Sequence, residues 1–136
     1  MLLIWKVFGK RWKTEIKETS KWENAEIRLP KYDVEAMITK TKANPTWVHF
    51  GAGNIFRIFL GGVADDLLEA GLMETGITCV ETFDQEIIDK IYDPFDNLVL
   101  SIMLKADGTT DKRILASLAE GLKADKARLT EIFKNP

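Results

Sequence analysis

The sequence predicts an α/β fold built on a parallel β-sheet, and the clearest sign is a change of periodicity at a pair of glycines. Residues 46–50 form a short β-rich run that ends at Gly51, as a buried strand does. Residues 55–70 then place apolar side chains on one face of a helix and polar or small ones on the other, until Gly71 ends the pattern. Residues 77–81 are again β-rich. A strand, a helix and a second strand in this order imply a right-handed parallel unit.

The rest of the chain continues this alternation. In order, the sequence predicts a short helix over 85–92, a third strand of the unit over 98–104, a turn at Asp107-Gly108, an antiparallel return strand over 113–118 and a helix over 126–133. Propensity alone equally allows a helix over residues 114–122. The predicted fold is therefore a parallel sheet with an added β-hairpin.

The sequence predicts that residues 1–45 form an N-terminal extension, which packs on a domain formed by residues 46–136. The extension lacks strong periodicity apart from a helix over residues 34–41. A tryptophan carries a large apolar area, so these side chains can hold the extension against the larger body: Trp5, Trp12 and Trp22.

Composition narrows the class of protein. The chain has 136 residues, 46% hydrophobic residues and a formal net charge of −2, which suits one folded domain. Nucleic acid is not expected as a partner, because the cluster of basic residues near Lys10 is interpreted as a solvated surface. A membrane partner is not expected either, since Lys6 interrupts the apolar start of the chain. The lone cysteine, Cys79, excludes an internal disulfide and favours the cytoplasm.

The two glycines lie where a strand passes into a helix, and this junction suits a dinucleotide pyrophosphate. A pyrophosphate site needs a tight turn, a backbone free of obstructing side chains and a helix N-terminus, whose amides and dipole bind anions. The predicted cofactor-binding residues are Gly51, Ala52, Gly53, Asn54, Ile55, Phe56 and Arg57. The third glycine of G-x-G-x-x-G is replaced by Phe56, so the pattern alone also fits a plain α/β turn. In its context it predicts the first half of a Rossmann-like domain.

A carboxylate at the end of the second strand predicts which cofactor binds. Glu81 can accept hydrogen bonds from the ribose hydroxyls and would repel a 2′-phosphate, which favours NAD over NADP. Asp84 is the competing ribose ligand, although its place before a helix equally suits an N-cap.

Other residues with chemical potential have ordinary interpretations. His49 is the single histidine, and its place among apolar strand residues suits a packed core side chain. Cys79 lies within a strand, where a buried and inert thiol is expected. Arg57 has two open interpretations, a ligand of phosphate or substrate and a surface charge. No catalytic residue and no metal ligand is predicted in this chain.

The sequence around the glycines resembles the polyol-specific long-chain dehydrogenases, the mannitol dehydrogenase family. The resemblance rests on Trp-Val-His-Phe-Gly-Ala-Gly-Asn-Ile-Phe-Arg at 47–57, since the family has His-Phe-Gly-x-Gly followed by an arginine. Further similar segments are Leu-Pro-Lys-Tyr-Asp at 29–33, Asp-Asn-Leu-Val-Leu at 96–100, Ile-Leu-Ala-Ser at 114–117 and Leu-Thr-Glu-Ile-Phe at 129–133. The similarity covers residues 20–136, and residues 1–19 match less clearly.

The resemblance implies an NAD-dependent oxidoreductase that transfers hydride between NAD(H) and a hexuronate or hexitol. The context of Phe56 is most similar to the fructuronate/mannonate enzymes, and mannitol/fructose is the second choice. In the family a lysine acts as general acid/base, and an asparagine and a histidine polarise the substrate oxygen. These three residues lie in a C-terminal domain, and no residue of this chain matches them. The chain is therefore expected to be a cofactor-binding N-terminal part, inactive alone and able to self-associate through an uncovered sheet edge. The alternatives are a truncated, non-catalytic dinucleotide-binding fragment and a regulatory nucleotide-binding module.

Overall fold

The computed structural model describes residues 19–134. Trp5, Trp12 and the basic cluster near Lys10 lie outside this range. The elements in chain order are α1 (Thr19–Asn24), α2 (Val34–Ala43), β1 (Val48–Phe50), the π-helical turn π1 (Phe56–Leu60), α3 (Gly61–Glu69), β2 (Ile77–Glu81), the π-helical turn π2 (Ile88–Tyr92), a 3₁₀ turn (Asp93–Phe95), β3 (Val99–Leu104), β4 (Thr110–Leu115), β5 (Leu118–Lys123) and α4 (Lys126–Lys134).

A three-stranded parallel sheet in the order β1-β2-β5 forms the centre of the fold. Strands β1 and β2 are parallel neighbours, with His49 opposite Cys79 and Phe50 opposite Val80, as predicted. The prediction that residues 98–104 supply the third strand of the parallel sheet was wrong. Residues 98–104 do form a strand, but β5 is the strand that pairs with β2. β5 ends beside Glu81, which it meets at Lys123.

The predicted hairpin is confirmed and lies outside the parallel sheet. Strands β3 and β4 pair antiparallel from Val99 opposite Leu115 to Leu104 opposite Thr110. The turn between them contains Gly108 at φ +84°. The alternative helix over residues 114–122 is wrong, because β4 ends at Leu115 and β5 begins three positions later.

One helical segment leads away from the glycines, as predicted for residues 55–70. It begins as the wider turn π1 and continues without a break as α3, whose buried side includes Ala64 and Leu68. Gly71 follows at φ +70°, a conformation that favours glycine at a helix end. The helix predicted at residues 85–92 is also present, and its last turn is π2.

The segment before β1 packs on the rest of the structure. Trp22 in α1 is 0% exposed and packs in a cluster with Leu98 and Ile114 of the hairpin region. The predicted helix over 34–41 is α2, which begins after Asp33, whose carboxylate accepts from the amide of Ala36 at 3.0 Å. The predicted α/β fold with an added hairpin is confirmed.

Across residues 19–134, no helix has both the length and the apolar composition to cross a membrane.

Candidate functional site

The predicted glycine turn lies at the carboxyl end of β1, at the edge of the parallel sheet where α/β proteins bind ligands. Gly51 adopts φ +110°, and its amide donates to the carbonyl of Val80 in β2 at 2.8 Å. The helix begins immediately afterwards, since the amide of Arg57 donates to the carbonyl of Gly53 at 3.1 Å. The chain therefore reverses sharply between β1 and a helix N-terminus. The strand is partly exposed rather than buried as predicted, with Phe50 51% exposed.

The two glycines of the turn are needed for different reasons. Gly51 has a backbone conformation that other residues rarely adopt. Gly53 does not have a positive φ, and a Cβ built on it would meet no atom within 4 Å. Neither its backbone nor its neighbours in the described chain require a glycine there. The open space above Gly53 suits a group that approaches the main chain from outside.

The backbone beside this space offers hydrogen-bond donors. Gly53, Asn54 and Ile55 are exposed, and their amides precede the first bond of the helix, from Arg57 to Gly53. Amides in this position, together with the dipole of a long helix, bind anions. The arrangement fits a pyrophosphate, which needs several donors and no obstructing side chain.

Glu81, at the end of β2, joins the two strand ends. Its Oε2 accepts from the amide of Ala52 at 2.8 Å, while Oε1 accepts from the amides of Phe83 at 2.8 Å, Thr82 at 3.0 Å and Asp84 at 3.3 Å. These amides, that of Phe83 most strongly, hold the pKa of Glu81 below its usual value. The side chain is 8% exposed. The carboxylate is therefore ionised and fixed, with acceptor capacity left on Oε2.

Two side chains support the turn from below. The thiol of Cys79 donates to the carbonyl of Gly51 at 3.3 Å, and the hydroxyl of Tyr92 donates to the carbonyl of Ala52 at 3.1 Å. Both side chains are buried in one cluster with Ala52 and Phe56. Burial raises the pKa of Cys79 to about 11, in agreement with the inert thiol expected there.

Sequence reasoning missed Tyr92, which lies far from the turn in the chain. Alternation along β2 was the available signal for Cys79, since residues 79 and 81 share one face of the strand and both contact the turn. Nothing in the sequence around Tyr92 indicates a contact with Ala52.

Arg57 is partly exposed and contacts the turn. Its guanidinium donates to the side-chain oxygen of Asn54 and lies 5.8 Å from the centre of the Tyr92 ring. Its Nε is buried without a partner among the described residues. Asp84 is exposed and lies at the start of the following helix, where its backbone carbonyl accepts from the amide of Ile87 at 3.1 Å. Within residues 19–134 no hydrogen bond joins its carboxylate to that helix, so only its backbone occupies the N-cap position.

The apolar residues of the motif divide between the core and the surface. Phe56 is 6% exposed and stacks on the half-buried ring of His49, with centroids 3.9 Å apart. His49 is thus packed, although not fully buried as expected. Ile55 is 83% exposed and Phe59 is 65% exposed, and with Ile58 they line a shallow apolar recess beside the turn.

Comparison with known proteins found a curated relative and solved structures of the same fold. No protein-family model matches the chain. The D-mannonate oxidoreductase of Thermotoga maritima is 47% identical over 126 residues, which cover 89% of this chain and 23% of that protein. The chain thus spans less than a quarter of the length of this relative.

Two solved structures share the fold. A D-sorbitol dehydrogenase in substrate-free form is 24% identical with a TM-score of 0.65, covering 79% of this chain and 22% of that one. Mannitol 2-dehydrogenase of Pseudomonas fluorescens, in a ternary complex with NAD and D-mannitol, is 21% identical with a TM-score of 0.64, covering 80% and 21%. The chain is homologous to D-mannonate oxidoreductase, and the predicted resemblance to the mannitol dehydrogenase family is confirmed.

Proposed function

We propose that residues 46–136 form the first half of a dinucleotide-binding domain and bind the adenosine and pyrophosphate of a nicotinamide cofactor. The observation that carries this proposal concerns position 53: within the described chain, neither packing nor backbone conformation requires a glycine there. Exposed amides at residues 53–55 lie beside the open space at this glycine. A pyrophosphate occupying that space would accept hydrogen bonds from these amides.

We propose further that the cofactor is NAD and that Glu81 contacts its ribose. An ionised carboxylate is a strong acceptor for ribose hydroxyls and repels the 2′-phosphate of NADP. Its Oε1 already accepts from three amides, so the free capacity of Oε2 is the proposed contact. Asp84 remains the alternative ligand, since it is exposed and close in sequence.

The proposed activity is that of an NAD-dependent oxidoreductase acting on a sugar acid or polyol, with the fructuronate/mannonate pair first. The supporting observation is the similarity to D-mannonate oxidoreductase, which covers 89% of this chain. Hydride transfer requires the nicotinamide and a carbinol held together near a proton acceptor. No residue of this chain is proposed for that step, and the 136-residue chain is expected to bind cofactor without turning over substrate.

A chimaera tests the activity. The segment of the Thermotoga maritima D-mannonate oxidoreductase that matches this chain is replaced by the matching part of this chain. Oxidation of D-mannonate with NAD is then assayed. Retained oxidation, lost in the same chimaera carrying Gly53→Val, supports the proposal. A folded chimaera without NAD binding would contradict it, and so would one whose NAD binding is unaffected by Gly53→Val.

A further inference from the structure

The peptide between Ala52 and Gly53 is held from one side by a single side chain. The carbonyl of Ala52 accepts from the hydroxyl of Tyr92 at 3.1 Å. Tyr92 is 1% exposed, so this bond forms below the turn, in the buried cluster that also contains Phe56 and Cys79. The carbonyl of Ala52 therefore points into the protein.

The direction of this carbonyl fixes the direction of the next amide. In a trans peptide the C=O and N–H groups point in opposite directions. The amide of Gly53 therefore points away from Tyr92. Gly53 itself is exposed, and a Cβ built on it would meet no atom within 4 Å, so the space around this residue is open. This is the space in which a pyrophosphate is proposed to bind.

The preceding peptide is held differently. Its carbonyl, from Gly51, accepts from the thiol of Cys79 at 3.3 Å, and its amide, from Ala52, donates to Glu81 at 2.8 Å. The Gly51–Ala52 peptide thus has a partner on each side. In the Ala52–Gly53 peptide the carbonyl accepts from Tyr92, whereas no group among residues 19–134 accepts from the amide of Gly53.

The position of Tyr92 is itself closely determined. A Cβ on Gly121 of β5 would lie 2.7 Å from Cδ1 of the ring, so a glycine is required for the ring to pack there. The guanidinium of Arg57, in π1, lies 5.8 Å from the centre of the Tyr92 ring. Burial raises the pKa of Tyr92, which keeps its hydroxyl a donor.

We infer that Tyr92 is a positioning residue, whose hydroxyl holds the Ala52–Gly53 peptide so that the Gly53 amide faces the pyrophosphate. The inference rests on the proposed function. Because the donor is set before the ligand arrives, binding does not have to order this peptide. Loss of the hydroxyl should therefore weaken dinucleotide binding without removing any atom that touches the ligand.

The test uses the two tyrosines of the chain as a matched pair. Tyr92→Phe removes the hydroxyl that holds the turn, and Tyr32→Phe removes one that bonds to Asp65 in a different part of the core. NAD affinity is measured by calorimetry, and stability by urea denaturation. We expect Tyr92→Phe to weaken NAD by roughly five- to tenfold, the worth of about one hydrogen bond, and Tyr32→Phe to leave it within twofold.

A second measurement follows the amide of Gly53 directly. In the unsubstituted chain, the amide proton of Gly53 should shift downfield in the NMR spectrum when NAD is added, as a donor to phosphate does. In Tyr92→Phe this resonance should already differ before NAD is added. NAD binding without a shift at Gly53 overturns the inference, as does equal NAD affinity in the two tyrosine variants. No NAD binding by the unsubstituted, folded chain overturns the proposed function instead.

Discussion

The hydroxyl of Tyr32 donates to the carboxylate of Asp65 at 2.6 Å, in a part of the core remote from the glycine turn. The same carboxylate oxygen accepts from the amide of Ala116 at 3.0 Å. Asp65 is 1% exposed. One buried carboxyl therefore joins the segment before β1, helix α3 and the connection between β4 and β5. Its burial raises its pKa above the usual value.

The raised pKa of Asp65 predicts a direction of pH dependence. A carboxyl whose pKa is higher in the folded state binds more protons there, so stability falls as pH rises from the unfolded value towards the folded one. Asp65→Asn keeps an acceptor for Tyr32 and Ala116 but does not ionise. We expect the free energy of unfolding of Asp65→Asn, relative to the unsubstituted chain, to increase as pH rises above about 4.

Urea denaturation at a series of pH values measures this difference. Asp66→Asn is the control, because it removes the neighbouring and more exposed carboxylate of the same helix, which pairs with Arg113. A difference for Asp65→Asn that stays constant with pH would contradict the assignment. Asp65→Ala should be far more destabilising, since it leaves the Tyr32 hydroxyl without its acceptor.

Gly53→Val should separate ligand binding from folding. A Cβ at this position meets no atom within 4 Å, and φ is not positive, so the change in stability should be small, about 0.5 kcal/mol or less. The valine would fill the space proposed for the pyrophosphate, and NAD binding should be lost. Calorimetry measures the affinity, and circular dichroism verifies the fold.

Gly76→Ala is the opposite control. A Cβ there would lie 2.6 Å from the sulfur of Met37 and would clash with the carbonyl of Ser117. This variant should unfold at lower temperature than the unsubstituted chain. Unchanged NAD affinity in a folded Gly53→Val variant would exclude the glycine turn as the cofactor site.

The local elements were predictable because each carries its own pattern. Periodicity gave the helix after the turn and the strands β1 and β2, and Asp107-Gly108 located the hairpin. The identity of the third parallel strand was not predictable from the chain, since residues 98–104 and 118–123 differ in their pairing partners rather than in their local pattern. Leu and Ala also favour helix in β5. Pairing with β2 overrides that preference.

The predicted site was recovered unequally for a similar reason. The motif supplied the glycines and the helix N-terminus, because these are adjacent in sequence. The hydrogen bond from the amide of Ala52 to Oε2 of Glu81 depends on the register of β1 and β2 and on the side-chain conformation of Glu81. The contact of Tyr92 depends on the packing of π2 under the turn. Such contacts require the assembled structure.

Glu81→Ser should weaken NAD binding and relatively improve NADP. The substitution removes the proposed ribose contact and the repulsion of the 2′-phosphate, and a hydrogen bond to a charged group is worth about 1.5–3 kcal/mol. We expect a loss of NAD affinity of roughly tenfold or more. Because Glu81 also holds the amide of Ala52, absolute affinity for both cofactors should fall, and their ratio is the informative quantity.

Asp84→Ser distinguishes the two candidate ribose ligands. Asp84 is exposed, and its carboxylate holds no backbone amide within residues 19–134, so its removal should leave the fold unchanged. An unchanged ratio of NAD to NADP affinity in Asp84→Ser, with a changed ratio in Glu81→Ser, supports Glu81. The reverse pattern would assign the ribose to Asp84.

Cys79 should be unreactive in the folded chain. Its pKa is raised to about 11 and its side chain is 0% exposed, so little accessible thiolate exists at pH 8. A colorimetric disulfide reagent should label the folded chain slowly and label the urea-unfolded chain rapidly. Fast labelling of the folded chain at pH 8 would mean that the support beneath Gly51 opens readily.

The hairpin inserted between β2 and β5 determines the order in which the sheet can be assembled during synthesis. The chain grows from its N-terminus, so β1 and β2 leave the ribosome before β3, β4 and β5. β2 can pair with β1 at that stage, but its second edge has no partner until the hairpin and the residues after it have emerged. A nascent chain arrested before Leu118 would therefore expose unpaired backbone groups on the strand that carries Glu81.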